Sequence, residues 1–192
     1  MAPKSKFTKE QIIDTAFEIA KTDGINSITI RKVAENLGSS IAPIYVNFND
    51  VNELIDEVIK KTRDISKQLL SEQNSGNPFH DIGVASLRFA KEYSTLFRDF
   101  VMNNYSLDQQ DLDIKILIEM MKQDPLLTDF NEAELMNLLL KMRIFQTGLS
   151  IMVANGLMPE EFDDAKMINI LDSTALELIT GARLRKEENV DG

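Results

Sequence analysis

The chain has 192 residues, enough for one large domain or two small ones, and 43% of them are apolar, ordinary for a globular protein with a buried core. With no cysteine and a single histidine, His80, it has no disulfide or thiol chemistry and a poor donor set for zinc; no metal or cofactor is expected. No run approaches the roughly 20 apolar residues that span a bilayer, and the opening "MAPKSKFTKEQ" is polar and basic rather than a signal stretch, so no membrane association and a cytoplasmic location are expected.

The net charge of -10 is unevenly spread. Residues 1–67 hold ten bases and ten acids, and the remaining residues carry the whole excess of acid. Lys4, Lys6 and Lys9 precede any acid, giving a near-neutral front with a basic tip.

Helical signals then follow in chain order. Thr8 and Gln11 form a capping box, with Ile12, Ile13, Ala16, Phe17, Ile19 and Ala20 at helical spacing and Gly24 as a left-handed stop. Thr29 caps a short second helix with Val33, Ala34 and Leu37 on its inner face, ended by Gly38. Ser40 (or Ser39) is expected to cap a third, ending near Asn47. Asp50 and Glu53 open a long fourth helix whose stripe runs from Val51 to Leu69 and which "NSGNP" breaks. Asn77 and Pro78 restart the chain as N-cap and first helical residue. Phe79, Ile82, Ser86, Phe89 and Tyr93 mark the fifth helix, and Leu96, Phe97, Phe100 and Val101 a short sixth. Ser106 and Gln109 box the seventh, with Ile114, Leu117, Ile118 and Met121 along it. Asn131 and Glu134 open an eighth helix to about Ala154, and a ninth runs from about Asp164 to Lys186. The last two are apolar over most of their circumference, as helices buried on two sides are. In a small chain one of those sides is either the core or a second subunit. The fold class expected is all-α.

Three short helices with "LGSS" between the second and third match a helix-turn-helix. Ala34 is small where the helices cross, Gly38 supplies the turn, and Val33, Leu37 and Ile44 face inward. Pro43 falls in a first turn, where its missing amide costs little. Such a helix reads the major groove with few side chains, here Ser40, Ile41, Ala42, Tyr45 and Asn47. Asn47 suits an adenine edge, Ile41 and Ala42 suit thymine methyls, Tyr45 and Thr29 suit phosphates, and Arg31 and Lys32 lie near the backbone or groove edge.

The stretch "IIDTAFEIAKTDGINSITIRKVAENLGSSIAPIYVNFNDVNELI" resembles the N-terminal domain of the tetracycline-repressor (TetR) family of bacterial transcription regulators over about residues 8–59. The likeness is carried by Ile12, Ile13, Ala16, Phe17, Gly24, Thr29, Val33, Ala34, Gly38, Tyr45, Phe48, Glu53 and Leu54. It implies a helix-turn-helix domain over 1–50, a connecting fourth helix over about 51–74, and a ligand-binding and dimerisation domain over 75–192. It implies a homodimer on a palindromic double-stranded operator, released by a small-molecule effector. Lys4, Lys6 and Lys9 are expected to serve as an N-terminal basic arm that compensates for a third helix without Arg or Lys. Two positions depart from the pattern: Val51 stands where a phosphate-contacting lysine is usual, and Ser39 replaces an apolar turn residue.

For the rear domain, Phe89, Tyr93, Phe97, Phe100, Tyr105, Met121, Met142, Phe145 and Gln146 are the residues expected to line a largely apolar effector pocket. Ile144, Gly148 and Ile151 of the eighth helix and Ile168, Leu171, Ala175, Leu178 and Ile179 of the ninth are those expected at the dimer interface. An enzyme is the weaker alternative: Asp108, Asp111 and Asp113 do not share one face, and no histidine or cysteine joins them. A further alternative is a dimeric helical interaction protein with weakened or lost DNA binding, favoured by Val51 and by a third helix without Arg or Lys.

Overall fold

The computed structural model describes residues 7–103 and 107–188, without the side chains of 78, 79 and 107–113, and all regular structure among these residues is helical. The helices are α1 (Lys9–Asp23), α2 (Ile30–Asn36), α3 (Ala42–Tyr45), α4 (Val51–Ser71), α5 (Pro78–Glu92), α6 (Ser94–Met102), α7 (Leu107–Met121), α8 (Glu132–Ala154) and α9 (Asp164–Glu188), with 3-10 turns at Ile25–Ser27 and Pro125–Leu127. They fall into two compact units. The first takes the chain up to Gln68 and the segment beginning at Tyr93, so α6 joins α1–α3 and most of α4; the second takes Leu69–Glu92 and the chain from α7 onward.

In the first unit α1 is the central element. The Thr8–Gln11 capping box starts it, each partner satisfying the other's orphan amide. Ile12, Ala16, Phe17, Ile19 and Ala20 are buried, and α1 packs on α2, the first 3-10 turn and α6. Each fully buried Ile or Phe contributes about 1.5–3 kcal/mol to such a core. Gly24 ends α1, but with φ 91° and ψ 160° it is not the left-handed helical residue expected. This extended, positive-φ region is open essentially to glycine alone. It also lets α6 approach: a Cβ on Gly24 would lie 3.0 Å from Asp99 Oδ2. That same oxygen accepts the Ile25 N–H at 2.6 Å, tying α6 to the end of α1.

α2 ends in a Schellman motif: the Gly38 amide donates to Glu35 O and the Ser39 amide to Ala34 O, with Gly38 at φ 60°. This corrects the expected start of α3. Ser39 is used in closing α2, Ser40 caps nothing, and Ile41, already helical at φ -70° and ψ -19°, is the N-cap of a helix that ends at Tyr45. α4 begins as the sequence indicates, with Asp50 Oδ1 accepting the amides of Asn52 and Glu53.

In the second unit α5 is central and packs against α7, α8 and α9. Asn77 caps it through the His80 amide, and Gly83 brings its backbone to 3.5 Å, from an added Cβ, of the Leu171 side chain on α9. The core holds Leu87, Ile118, Met121, Leu127, Phe130, Leu135, Leu138, Leu139, Met142 and Leu149. The C-terminal end of α9 is clamped to the start of α8: Arg183 makes a forked pair with Asp129 at 3.0 and 3.1 Å, and Lys186 reaches Asp129 O and Glu134. Both cations also lie over the Phe130 ring. The Arg183 hydrogen bond holds the Asp129 carboxyl below its usual range, and the Asn131 amide followed by Lys186 does the same for Glu134.

Two expectations follow. Gly24→Ala is expected to destabilise the protein by about 1–3 kcal/mol, through a disallowed backbone and the crowded Asp99 carboxylate, read from denaturant midpoints. Because Asp129 and Glu134 are depressed, their contribution is complete above ordinary carboxylate values and is lost as pH falls through their lower folded values. Stability should therefore decline on acidification below about pH 4, less steeply in Asp129→Asn, as urea melts across pH will show.

Candidate nucleic-acid interface

The scaffold under α2 and α3 is apolar: Val33, Ala34, Ile44 and Phe48 are buried and fix the crossing of the two helices, while Leu37 is half-buried at the turn. α3 leaves apolar side chains outside. Ile41 is 49% exposed, Tyr45 53% and Val46 62%, with Ser40 and Ala42 also exposed. Val46, the C-cap of α3, was not singled out by sequence, which carries the helix to about Asn47.

Thr29 is where expected but occupied: its hydroxyl accepts the Lys32 amide at 3.1 Å as the α2 N-cap. Arg31 Nε pairs with Glu35 at 3.0 Å and Lys32 Nζ with Asp23 at 2.6 Å, both on the surface. Exposed pairs of this kind are worth little and can be exchanged for phosphate. Asn47 is half-buried, and its Nδ2 donates to Pro43 O at 2.9 Å on the backbone of α3. Lys4 and Lys6 lie outside the described residues. The third arm lysine, Lys9, is bonded to Glu57 at 2.6 Å and stands over the Phe48 ring. That hydrogen bond raises the Lys9 ammonium above its ordinary value and lowers Glu57. Lys61 is likewise paired with Asp14. The head thus meets much of its own positive charge with carboxylates.

The expected effector and dimer residues distribute differently from the expectation. Tyr93, Phe97 and Phe100 belong to the first unit, where Tyr93 sets its ring 6.3 Å from Phe17 and receives Lys21 over its face. Phe89, Met121, Met142 and Gln146 are buried in the second unit, with Phe145 half-buried beside them; Tyr105 lies outside the described residues. The clefts described in the second unit are walled by other side chains. One, of 640 Å³, is lined by Lys91, Val153, Met158, Phe162 and Met167; the other, of 360 Å³, by His80, Leu126, Asp172 and Leu176. His80 is half-buried with Nδ1 2.6 Å from Asp172 Oδ1.

On α8, Ile144 (67% exposed) and Gly148 face outward, in line with exposed Met136 and Leu140, and Ile151 is half-buried. On α9, Ile168, Ala175 and Leu178 are half-buried, whereas Leu171 and Ile179, 2% and 3% exposed, fill the unit's own core. These two are corrected as interface residues: side chains packed against α5 and α8 have no surface to offer a partner. The outward apolar residues of α9 are instead Leu176 and Leu184. The side chains of Asp108, Asp111 and Asp113 lie outside the described residues, and among the described residues no His, Cys, Asp and Glu cluster is placed to hold a metal. No helix among them is long and apolar enough to cross a membrane.

Protein-family models and curated proteins yield no match to the chain. Solved structures do. A TetR-like transcriptional regulator from Rhodococcus sp. RHA1 aligns over 94% of this chain and all of its own, with TM-score 0.67 at 14% identity. The fatty acid degradation regulator FadR from Bacillus halodurans aligns over 93% and 98%, with TM-score 0.63 at 13% identity. SmeT, the repressor of the Stenotrophomonas maltophilia multidrug efflux pump SmeDEF, aligns over 93% and 91%, with TM-score 0.52 at 16% identity. The chain has the all-helical fold of the TetR-like transcriptional regulators over nearly its whole length.

Asp99, missed by sequence, is the polar link of the head. Asp99→Ala should leave the Ile25 amide without its acceptor and cost about 1–3 kcal/mol, with hydrogen exchange at that amide accelerating in parallel.

Proposed function

We propose that this protein is a transcriptional regulator that binds a palindromic operator as a homodimer through α2 and α3 and is released by a small, largely apolar molecule bound in its second unit. The observation that carries this reading is the closed turn between α2 and α3, which buries Val33, Ala34 and Ile44 and leaves Ile41, Tyr45 and Val46 exposed among the described residues. The fold shared with a regulator of fatty acid degradation and a repressor of an efflux pump supports it.

Dimerisation is attributed to the outward faces of α8 and α9, where Met136, Leu140, Ile144 and Gly148 follow one another at helical spacing and Leu176 and Leu184 face solvent. A twofold dimer carries two copies of α3, and a palindromic operator offers two half-sites about 34–36 Å apart. An effector acts by binding more tightly to a dimer whose spacing no longer fits, shifting the population away from DNA. The 640 Å³ cleft, with its Val153, Met158, Phe162 and Met167 walls, is of a size for such a molecule.

A second reading, a dimeric interaction protein without DNA binding, is favoured by Val51 and by the pairing of Lys9, Arg31, Lys32 and Lys61 with carboxylates. Binding of the full chain to the duplex upstream of its own gene separates the two. The first reading expects sequence-selective binding lost in Tyr45→Ala, with a log K against log salt slope of about -4, as for two arm lysines per protomer. No selective binding to any duplex supports the second. For either, Ile144→Asp should convert a dimer to a folded monomer in sedimentation velocity; an unchanged mass would remove α8 from the interface.

A further inference from the structure

We propose that this chain reads its operator chiefly through thymine 5-methyl groups, contacted by Ile41, Ala42 and Val46. This rests on the reading that α3 enters the major groove.

Charged side chains for base recognition are missing from the exposed face of α3. Between Leu37 and Asp50 there is no Arg or Lys, so the forked contact to guanine is not available from this segment. Asn47, the residue suited to adenine, has its Nδ2 committed to Pro43 O. The Ser39 amide is committed to Ala34 O. Among the exposed side chains Ser40 and Tyr45 carry hydroxyls; Ile41, Ala42 and Val46 are purely apolar. Ile41 is 49% and Val46 62% exposed, so both have apolar surface to offer a methyl group. Of the four bases, thymine alone carries an apolar group in the major groove. Ile41 and Val46 stand at opposite ends of the short helix, with Ala42 between them in sequence and small enough to admit a methyl close to the backbone. Ser40 is an exposed polar neighbour in sequence, and Arg31 and Lys32 of α2 hold exchangeable surface pairs. Discrimination then comes from removing methyl surface from water, not from charged hydrogen bonds.

The test uses the full chain and a random duplex pool. Sequences retained by the protein are identified, and the best is resynthesised with deoxyuridine replacing thymine one position at a time, which deletes only the 5-methyl. We expect thymine-rich half-sites and about a fourfold loss of affinity at each contacted thymine, the loss corresponding to one buried methyl-sized group. Ile41→Ala and Val46→Ala should weaken binding to the thymine duplex but add little on the matched deoxyuridine duplex, since the two changes remove one contact. Unaltered affinity across the deoxyuridine series, or losses that add independently of the Ile41 and Val46 changes, overturns the inference while leaving DNA binding intact. If no duplex in the pool is retained, DNA binding itself fails and the inference with it.

Discussion

The carboxylate of Asp99, accepting the Ile25 amide from 74 residues away in sequence, is the contact on which the geometry of the head depends. Ile25 is buried, so its amide has no water to turn to, and an unsatisfied buried N–H is costly. The bond holds the chain at the point where α1 ends and the path to α2 begins. From there Ile25 and Ile28 are packed in the core, Thr29 caps α2, and α2 positions α3 through Val33, Ala34 and Ile44. Gly24 makes the arrangement possible twice over, by its backbone conformation and by having no side chain where Asp99 must sit.

The second organising theme is charge kept at home. The head balances its bases and acids in number, and the structure shows them meeting: Lys9 with Glu57, Lys32 with Asp23, Arg31 with Glu35, Lys61 with Asp14. On a protein with net charge -10, such a head makes a weak field for phosphate. The outward side chains of α3 are accordingly apolar, and the proposed mode of reading follows from what is left when cations are withdrawn.

Much of this was legible in the sequence where the signal is local. Caps are short-range chemistry, and Thr8 with Gln11, Thr29, Asn77 with Pro78, and Asn131 with Glu134 are all found at the helix starts they marked. The boundaries of α8 and α9 follow from the same punctuation. What was not legible is long-range or lacks a phase. Asp99 and Ile25 carry no pattern that links them. α8 and α9 carry apolar residues on more than one face, so periodicity could not say which side meets the core, and Leu171 and Ile179 were placed outward while Leu176 and Leu184 went unread. The start of α3 was displaced by one or two residues because Ser40 and Ser39 look like caps; the Schellman closure of α2 had already engaged Ser39. For the effector residues, aromatic and methionine content identified core material, and the clefts lie among other side chains.

The discontinuity of the first unit has a consequence for how the protein is made. Its core includes Leu96 and Phe97, and Phe17 meets Tyr93, so the first 68 residues emerging from a ribosome lack part of their own interior. At synthesis rates of about 5–20 residues per second, the nascent head waits seconds for α6, with Ile25 unbonded. An N-terminal fragment cut after α4 would be a partly folded body with exposed apolar surface. Supplying the α6 peptide separately should restore it, since what is missing is a side of the core and one carboxylate.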